Sequence, residues 1–180
     1  MRELEYVSSF WNLKKKPFTI SLIEDNQFYL RGIAQHIKNA IPNIKLTAFS
    51  RSSSFLNSLR HKPEIAIVDF NLDDRSEMEG IELIRELKFK SPNTKIIVLT
   101  GEQSISTAVK CLNEGVMDYV IKEDKAIDKI AYEIKQVMRE LLKEMHRDVI
   151  NRRIRFAISV ITISILGFLA YKLILPGLFE

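Results

Sequence analysis

Short apolar runs alternate with amphipathic stretches along most of the chain. Five runs rich in β-branched and aliphatic residues predict strands, at residues 18–25, 44–50, 64–70, 94–100 and 118–122. The intervals between them predict helices, at residues 27–40, 53–61, 79–90, 104–114 and from about 124 onward. Three of the strands are almost continuously apolar, which is typical of parallel strands covered on both faces. The pattern therefore predicts an α/β fold, a doubly wound five-stranded parallel sheet with helices on both faces.

The last helical stretch extends further than this alternation requires. Its apolar residues follow spacings of three and four and form a heptad-like seam at Ile127, Ile130, Ile134, Val137 and Leu141. We expect part of the seam to pack on the sheet, and the helix to continue as a basic linker. An ordinary domain helix followed by a polar linker explains the spacing equally well.

Residues 156–175 are apolar apart from a few hydroxyl groups and Lys172. As a helix that rises about 1.5 Å per residue, this run matches a hydrocarbon core of roughly 30 Å. Arg152, Arg153 and Arg155 directly precede it, so the positive-inside rule places the preceding residues in the cytoplasm. We predict a C-terminal transmembrane helix, and a buried helix of the globular core is the alternative.

Charge is distributed unevenly along the sequence. Residues 18–123 hold 13 Lys and Arg against 14 Asp and Glu, and the basic excess flanks this centre. A nearly neutral centre without a basic stripe argues against a nucleic-acid-binding domain. The single cysteine, Cys111, excludes an internal disulfide framework and is expected to pack in the core, and three scattered histidines give no zinc site. Nothing in residues 1–17 resembles a signal peptide.

Charged and hydroxyl side chains stand where the predicted strands end. The first strand ends in Glu24 and Asp25, the third in Asp69, the fourth in Thr100 and the fifth in Lys122. Ligands bind at this edge of an open parallel sheet. Three carboxylates that converge there raise each other's pKa values unless a cation intervenes, and hard oxygen ligands suit Mg²⁺. A hydroxyl and an ammonium beside them suit a phosphoryl group.

This set of residues resembles the receiver domain of bacterial two-component response regulators over about residues 18–140. The motifs TG at 100–101, GIELI at 80–84 and EGVMDYVIK at 114–122 strengthen the resemblance. It implies a flavodoxin-like sheet with strand order 2-1-3-4-5. It also implies a bacterial cytoplasmic membrane as the location of the predicted anchor.

The resemblance assigns roles to individual residues. Asp69 would accept a phosphoryl group from a histidine kinase or a histidine phosphotransfer protein. Asp25, Asp69 and the backbone carbonyl of Asn71 would bind Mg²⁺, and Glu24 would hold the ion largely through water. The side chains that contact the phosphoryl oxygens would be Thr100 and Lys122.

Further positions would control the switch and its duration. Tyr119 would change rotamer together with Thr100, although a half-buried strand aromatic is an equal alternative. Asn71 and Glu102 stand two residues after Asp69 and Thr100, where the family tunes attack by water on the acyl phosphate. We therefore hypothesise a short-lived phosphorylated form.

The sequence departs from the family pattern in two places. Glu123 follows Lys122 where the family usually has proline, so the geometry of the next loop is open. The loop between Asp69 and Gly80 is about three residues longer than usual. Its extra acids are expected to form a solvated surface, at Asp73, Asp74, Glu77 and Glu79.

The expected protein is a phosphoacceptor tethered to the membrane, which acts through protein–protein contacts and catalyses only its own phosphorylation and dephosphorylation. A homodimer through the last receiver face and the long helix is one form of such contact, and no nucleic acid is expected as a partner. The alternatives are a phosphorylation-independent membrane scaffold and a phosphate sink without output. The expected segments are an extension at 1–17, the receiver domain at 18–140, a basic juxtamembrane linker helix at 141–155 and the transmembrane helix at 156–175.

Overall fold

A computed structural model describes residues 16–72, 80–101 and 103–174, with side chains described up to residue 172. The chain divides into two compact units, Met1–Arg139 and Glu140–Glu180. The predicted N-terminal extension, the acidic loop at 73–79 and Glu102 lie almost entirely outside the described residues.

The first unit contains a five-stranded parallel sheet in the order β2-β1-β3-β4-β5. The strands are β1 (Phe18–Ile23), β2 (Ile44–Phe49), β3 (Ile65–Asp69), β4 (Lys95–Thr100) and β5 (Asp118–Ile121). The predicted fold class and strand order are therefore confirmed. The strands are slightly shorter than predicted, and Glu24, Asp25 and Lys122 come directly after them.

Five helices alternate with the strands. They are α1 (Gln27–Ala40), α2 (Ser52–Ser58), α3 (Gly80–Lys90), α4 (Ile105–Asn113) and α5 (Ala126–Ile174). Gly80 begins α3 at a place where a side chain would not fit, because an added Cβ would collide with the carbonyl oxygen of Phe70. The first residue of α3 therefore lies close against the residue that follows β3.

The core lies on both faces of the central strands. All five residues of β3 are buried, and so are five of the six residues of β4. Helix α1 contributes an apolar stripe at three- and four-residue spacing, at Leu30, Ile33, Ala34 and Ile37. Cys111 of α4 is fully buried among apolar residues, so its predicted place in the core is confirmed.

Helix α5 runs without a break from Ala126 to Ile174. In the first unit it buries the apolar positions expected of a domain helix, among them Ile130, Ile134 and Val137. Part of the heptad-like seam is therefore core packing. The alternative of a domain helix that ends before a polar linker is wrong, because α5 remains helical through the basic residues.

In the second unit, α5 is solvent-exposed from residue 143 to residue 172. It is the one helix in the described ranges that is long and apolar enough to cross a membrane. The mean hydropathy of its most apolar segment is 1.9, and none of that segment is buried. The hydroxyls of Ser159, Thr162 and Ser164 donate to backbone carbonyls of the preceding turn, at 2.9–3.0 Å. Their polar groups therefore have partners within the helix itself.

Candidate functional site

Three carboxylates converge at the carboxyl end of the sheet. Glu24 and Asp25 directly follow β1, and Asp69 is the last residue of β3, which is paired with β1. One carboxylate oxygen from each residue lies within 4.8 Å of the other two. Glu24 and Asp69 are buried, whereas Asp25 is half-buried. The convergence predicted from the strand ends is present in the structure.

Lys122, directly after β5, brings a positive charge to these carboxylates. Its Nζ lies 2.8 Å from Asp69 Oδ2, to which it donates a hydrogen bond, and 2.8 Å from Glu24 Oε2. The second contact is an ion pair. Beyond this ammonium, Glu24 Oε2 has no hydrogen-bond partner in the described part of the chain. Lys122 therefore forms ion pairs with two of the three carboxylates, Glu24 and Asp69, so negative charge exceeds positive charge among these four residues.

Burial and this excess of negative charge shift the pKa values of Glu24 and Lys122. Burial raises the pKa of Glu24 from 4.5 to about 7, and the negative charge of Asp69 adds to the effect while Lys122 opposes it. Burial alone would lower the pKa of Lys122, but the carboxylates of Asp69 and Glu24 outweigh it and raise that pKa. Lys122 is therefore a cation at neutral pH, and Glu24 holds its proton more tightly than an exposed glutamate does.

The same excess of carboxylates suits a divalent cation. Three hard oxygen ligands lie close together, and beyond the Lys122 ammonium the buried Glu24 Oε2 has no partner in the described part of the chain. Mg²⁺ prefers a few carboxylates together with water at such a site. The residues present therefore suit Mg²⁺, in agreement with the ligand type predicted from the sequence.

Asn26 organises the mouth of the site, and the sequence analysis missed it. Its side chain accepts hydrogen bonds from the backbone N–H groups of Phe28 and Tyr29, which makes it the N-cap of α1. Its own N–H donates to Glu24 Oε1 at 3.3 Å and to Asp25 Oδ1 at 3.0 Å. An asparagine just before an amphipathic run is a recognisable N-cap signal, so its capping role was open to prediction.

Tyr29 is the second residue that the sequence analysis missed. Its ring faces the ammonium of Lys122, with Nζ 5.0 Å from the ring centroid. Burial raises the pKa of the Tyr29 phenol, and the positive charge of Lys122 partly opposes the shift. Tyr29 is on the first turn of α1, and no local sequence signal connects it with the end of β5.

Thr100 and Asn71 are joined by their side chains. Thr100 is buried at the end of β4, and its hydroxyl donates to Asn71 Oδ1 at 2.7 Å. The backbone N–H of Asn71 donates to Asp69 Oδ1 at 3.1 Å. The structure thus places Thr100 and Asn71 beside Asp69. The contact between the Asn71 amide and Thr100 was not expected from the sequence.

Two predicted site residues remain, Tyr119 and Glu102. Tyr119 is half-buried in β5 beside Val98 and packs against the core. Glu102 is outside the described residues. The Lys122–Glu123 peptide is trans, as are the other peptide bonds of the described ranges.

Comparison with known families gives one match that covers most of the chain. The family model described as response regulator receiver domain matches residues 20–135. Among curated proteins, the photosynthetic apparatus regulatory protein RegA of Rhodovulum sulfidophilum is 30% identical over 110 residues, which are 61% of this chain and 58% of RegA. The chain therefore spans little more than half the length of that relative.

Solved structures agree with the fold. A CheY-like receiver domain protein from Methanospirillum hungatei is 21% identical, with a TM-score of 0.59, and the match covers 74% of this chain and 99% of that one. A response regulator from Burkholderia pseudomallei is 25% identical, with a TM-score of 0.53, over 66% of this chain and 71% of the other. The Burkholderia structure contains a phosphorylated aspartic acid, a calcium ion and citrate.

Proposed function

Because this chain belongs to the response regulator receiver domain family, we propose that it is the phosphoacceptor of a two-component system, phosphorylated on Asp69 by a histidine kinase or a histidine phosphotransfer protein. The observation that supports this most strongly is the setting of Asp69. Its carboxylate is buried beside two further carboxylates and accepts a hydrogen bond from Lys122 at 2.8 Å. The phosphorylated aspartic acid of the Burkholderia relative supports the same chemistry.

In the proposed reaction, a carboxylate oxygen of Asp69 attacks the phosphorus of a phosphohistidine. The new O–P bond forms as the P–N bond breaks, and the imidazole leaves. Lys122 and the Asn71 N–H hold the two carboxylate oxygens and so orient the nucleophile. The Lys122 ammonium also lies close enough to neutralise negative charge on the transferred group. The protein acts only on its own side chain in this step.

Glu24, Asp25, Asp69 and the backbone carbonyl of Asn71 would hold Mg²⁺, with Glu24 acting largely through water. When bound, the ion supplies positive charge that stabilises the phosphoryl oxygens during transfer. Asn26 prepares this arrangement, because its N–H fixes one oxygen of Glu24 and one of Asp25. The carboxylates are therefore oriented by the chain itself.

Phosphorylation would then change the partner of Thr100. Its hydroxyl, now bonded to Asn71, would turn to a phosphoryl oxygen, and Tyr119 would respond to the space that this movement leaves. The Asn71 amide, released from Thr100, would lie beside the acyl phosphate, where it and Glu102 would tune attack by water. This gives Asn71 a part in both the switch and its lifetime.

We further propose that α5 anchors the receiver domain to the cytoplasmic face of the bacterial membrane. Its exposed apolar segment and internally bonded hydroxyls support this location. Tethering would raise the effective concentration of the domain near a membrane kinase or partner. Output would pass through protein contacts, including a homodimer through the last receiver face and α5, without nucleic acid.

Phosphorylation is tested with the full chain in detergent, incubated with acetyl phosphate and Mg²⁺. Intact-mass analysis is expected to show a gain of about 80 Da in the wild type and none in Asp69→Asn. The anchor is tested separately by extraction of bacterial membranes, where the full chain should resist alkaline carbonate and dissolve in detergent. Release by carbonate would contradict the membrane proposal and leave the phosphorylation result unaffected.

A further inference from the structure

Tyr29 lies at the mouth of the site, but the proposed phosphoryl transfer gives it no role. Its ring lies over the ammonium of Lys122, 5.0 Å from Nζ to the centroid. The same ammonium lies 2.8 Å from each of two carboxylates, on Glu24 and Asp69. The ammonium is therefore bounded by two anions and one aromatic face.

The position of Tyr29 is fixed by the same residue that orients the carboxylates. Asn26 caps α1 and accepts a hydrogen bond from the Tyr29 N–H at 3.1 Å, while its own N–H bonds to Glu24 and Asp25. The backbone that presents the ring is thus built into the turn that presents two of the carboxylates. Tyr29 is half-buried beside the site.

Lys122 needs such support because its side chain is long and only partly covered. The side chain is 23% exposed, and its flexible four-carbon stem and strongly hydrated ammonium favour many positions in water. An aromatic face attracts a cation and also excludes water from one side of it. The ring therefore restricts the ammonium to the region next to Asp69.

We propose that Tyr29 is a positioning residue for Lys122, and that its ring holds the ammonium where it contacts a phosphoryl group on Asp69. This inference rests on the proposed phosphoacceptor function. When phosphorylation and Mg²⁺ change the charges on Asp69 and Glu24, the carboxylate partners of Lys122 change. The aromatic face neither ionises in this range nor binds the metal, so it provides the constant contact.

The proposal assigns the effect to the ring and not to the phenol hydroxyl. Tyr29→Phe keeps the aromatic face, whereas Tyr29→Leu keeps an apolar side chain of similar helical propensity without the face. Phe28 offers a matched control, because it is the adjacent residue of the same turn but is 89% exposed. Phe28→Leu should leave the site unchanged.

The test is a titration of the full chain in detergent with beryllofluoride, a phosphoryl mimic, at saturating Mg²⁺ and followed by ¹⁹F NMR. Tyr29→Leu is expected to bind the mimic about threefold to tenfold more weakly than the wild type, as loss of one cation–π contact implies. Tyr29→Phe and Phe28→Leu should match the wild type. The affinity for Mg²⁺ alone and the urea midpoint should stay the same in all four proteins.

Equal affinity of Tyr29→Leu and the wild type for beryllofluoride would overturn the positioning role while leaving the proposed function in place. A parallel loss of Mg²⁺ affinity and stability in Tyr29→Leu would also overturn it, because the ring would then be only structural. Failure of the wild type itself to bind the mimic would instead contradict the proposed function. The last comparison adds Tyr29→Leu to a Lys122→Met background. If Tyr29→Leu weakens beryllofluoride binding there as much as it does in the wild type, the ring does not act through Lys122.

Discussion

The two ends of the sheet both bury polar side chains, but they satisfy them in different ways. At the amino end, the Thr94 hydroxyl donates to the Pro63 carbonyl at 2.7 Å and lies 2.8 Å from the Ser91 hydroxyl. The Glu64 carboxylate accepts from the N–H and the hydroxyl of Thr19, at 2.8 and 3.2 Å. Each polar group there has a local partner from the chain, and this end contributes stability.

At the carboxyl end, three carboxylates lie close together and Lys122 forms ion pairs with two of them, Glu24 and Asp69. Beyond this ammonium, Glu24 Oε2 has no hydrogen-bond partner among the described residues. Such an arrangement costs stability in the free protein, because buried charge of one sign is only partly compensated. The difference indicates which end of the sheet can bind a ligand. Matched polar groups hold the sheet together, while unmatched charge provides a place for a cation and a phosphoryl group.

The largest expected effect separates the two ends by function. Asp69→Asn keeps the shape of the side chain but removes the nucleophilic carboxylate, so phosphorylation by acetyl phosphate should fall below detection by intact mass. Thr94→Val, at the other end, should be phosphorylated at the wild-type rate. Equal phosphorylation of Asp69→Asn and the wild type would remove the functional distinction between the ends.

The next effect separates them by stability. Thr94→Val leaves the Ser91 hydroxyl and the Pro63 carbonyl without their buried partner, which should lower the free energy of unfolding by about 1–3 kcal/mol. Asp69→Asn should be neutral or stabilising in the absence of Mg²⁺, because it removes one of three carboxylates. Urea denaturation of the two variants measures both values, and a stability loss in Asp69→Asn larger than that in Thr94→Val would contradict the comparison.

The unmatched charge also predicts a pH dependence. The pKa of Glu24 is raised in the folded state from 4.5 to about 7, so its stabilising contribution is complete below pH 4.5 and is lost as the pH rises through 7. The metal-free protein should therefore lose on the order of 1–3 kcal/mol from this group between pH 5 and pH 8. Mg²⁺ should restore stability at pH 8.

Glu24→Gln provides the control for that prediction. The amide does not ionise, so the metal-free variant should lack this component of the pH dependence and should gain less from Mg²⁺ at pH 8. Urea midpoints across the pH range, with and without Mg²⁺, give both comparisons. The same slope in the variant and in the wild type would show that another group is responsible.

The smallest expected effect concerns Asn71. Asn71→Ala removes the acceptor that holds the Thr100 hydroxyl at 2.7 Å. Since such a hydrogen bond contributes about 1 kcal/mol, the lifetime of the phosphorylated form should change by a few fold. Decay of the mass adduct after removal of acetyl phosphate measures it, with Thr94→Val as the control. An unchanged lifetime would exclude the proposed tuning role.

Much of the fold and the central charged residues could be predicted from the sequence. Buried parallel strands have a strong apolar signal, and Glu24, Asp69, Thr100 and Lys122 stand where those strands end, so topology alone brings them together. The N-cap role of Asn26 was also accessible, since asparagine precedes an amphipathic run. Its additional bonds to the carboxylates follow from the conformation of the turn.

Other features depend on packing that a single sequence does not encode locally. The contact of Tyr29 with Lys122 requires the angle of α1 over the end of the sheet, and the contact of Asn71 with Thr100 requires side-chain rotamers. The continuity of α5 was open because basic residues such as Arg152 and Arg153 fit either a helix or a linker. In each case tertiary geometry decided between conformations that local sequence left open.

The most direct measurement is the identity of the modified residue. The full chain is treated with acetyl phosphate in the presence and absence of Mg²⁺, reduced with borohydride, which converts an aspartyl phosphate to homoserine, and analysed by peptide mass spectrometry. The account predicts homoserine at position 69 only when Mg²⁺ is present. Homoserine at another aspartate, or no conversion at Asp69 although the wild type gains the phosphoryl mass, would contradict it.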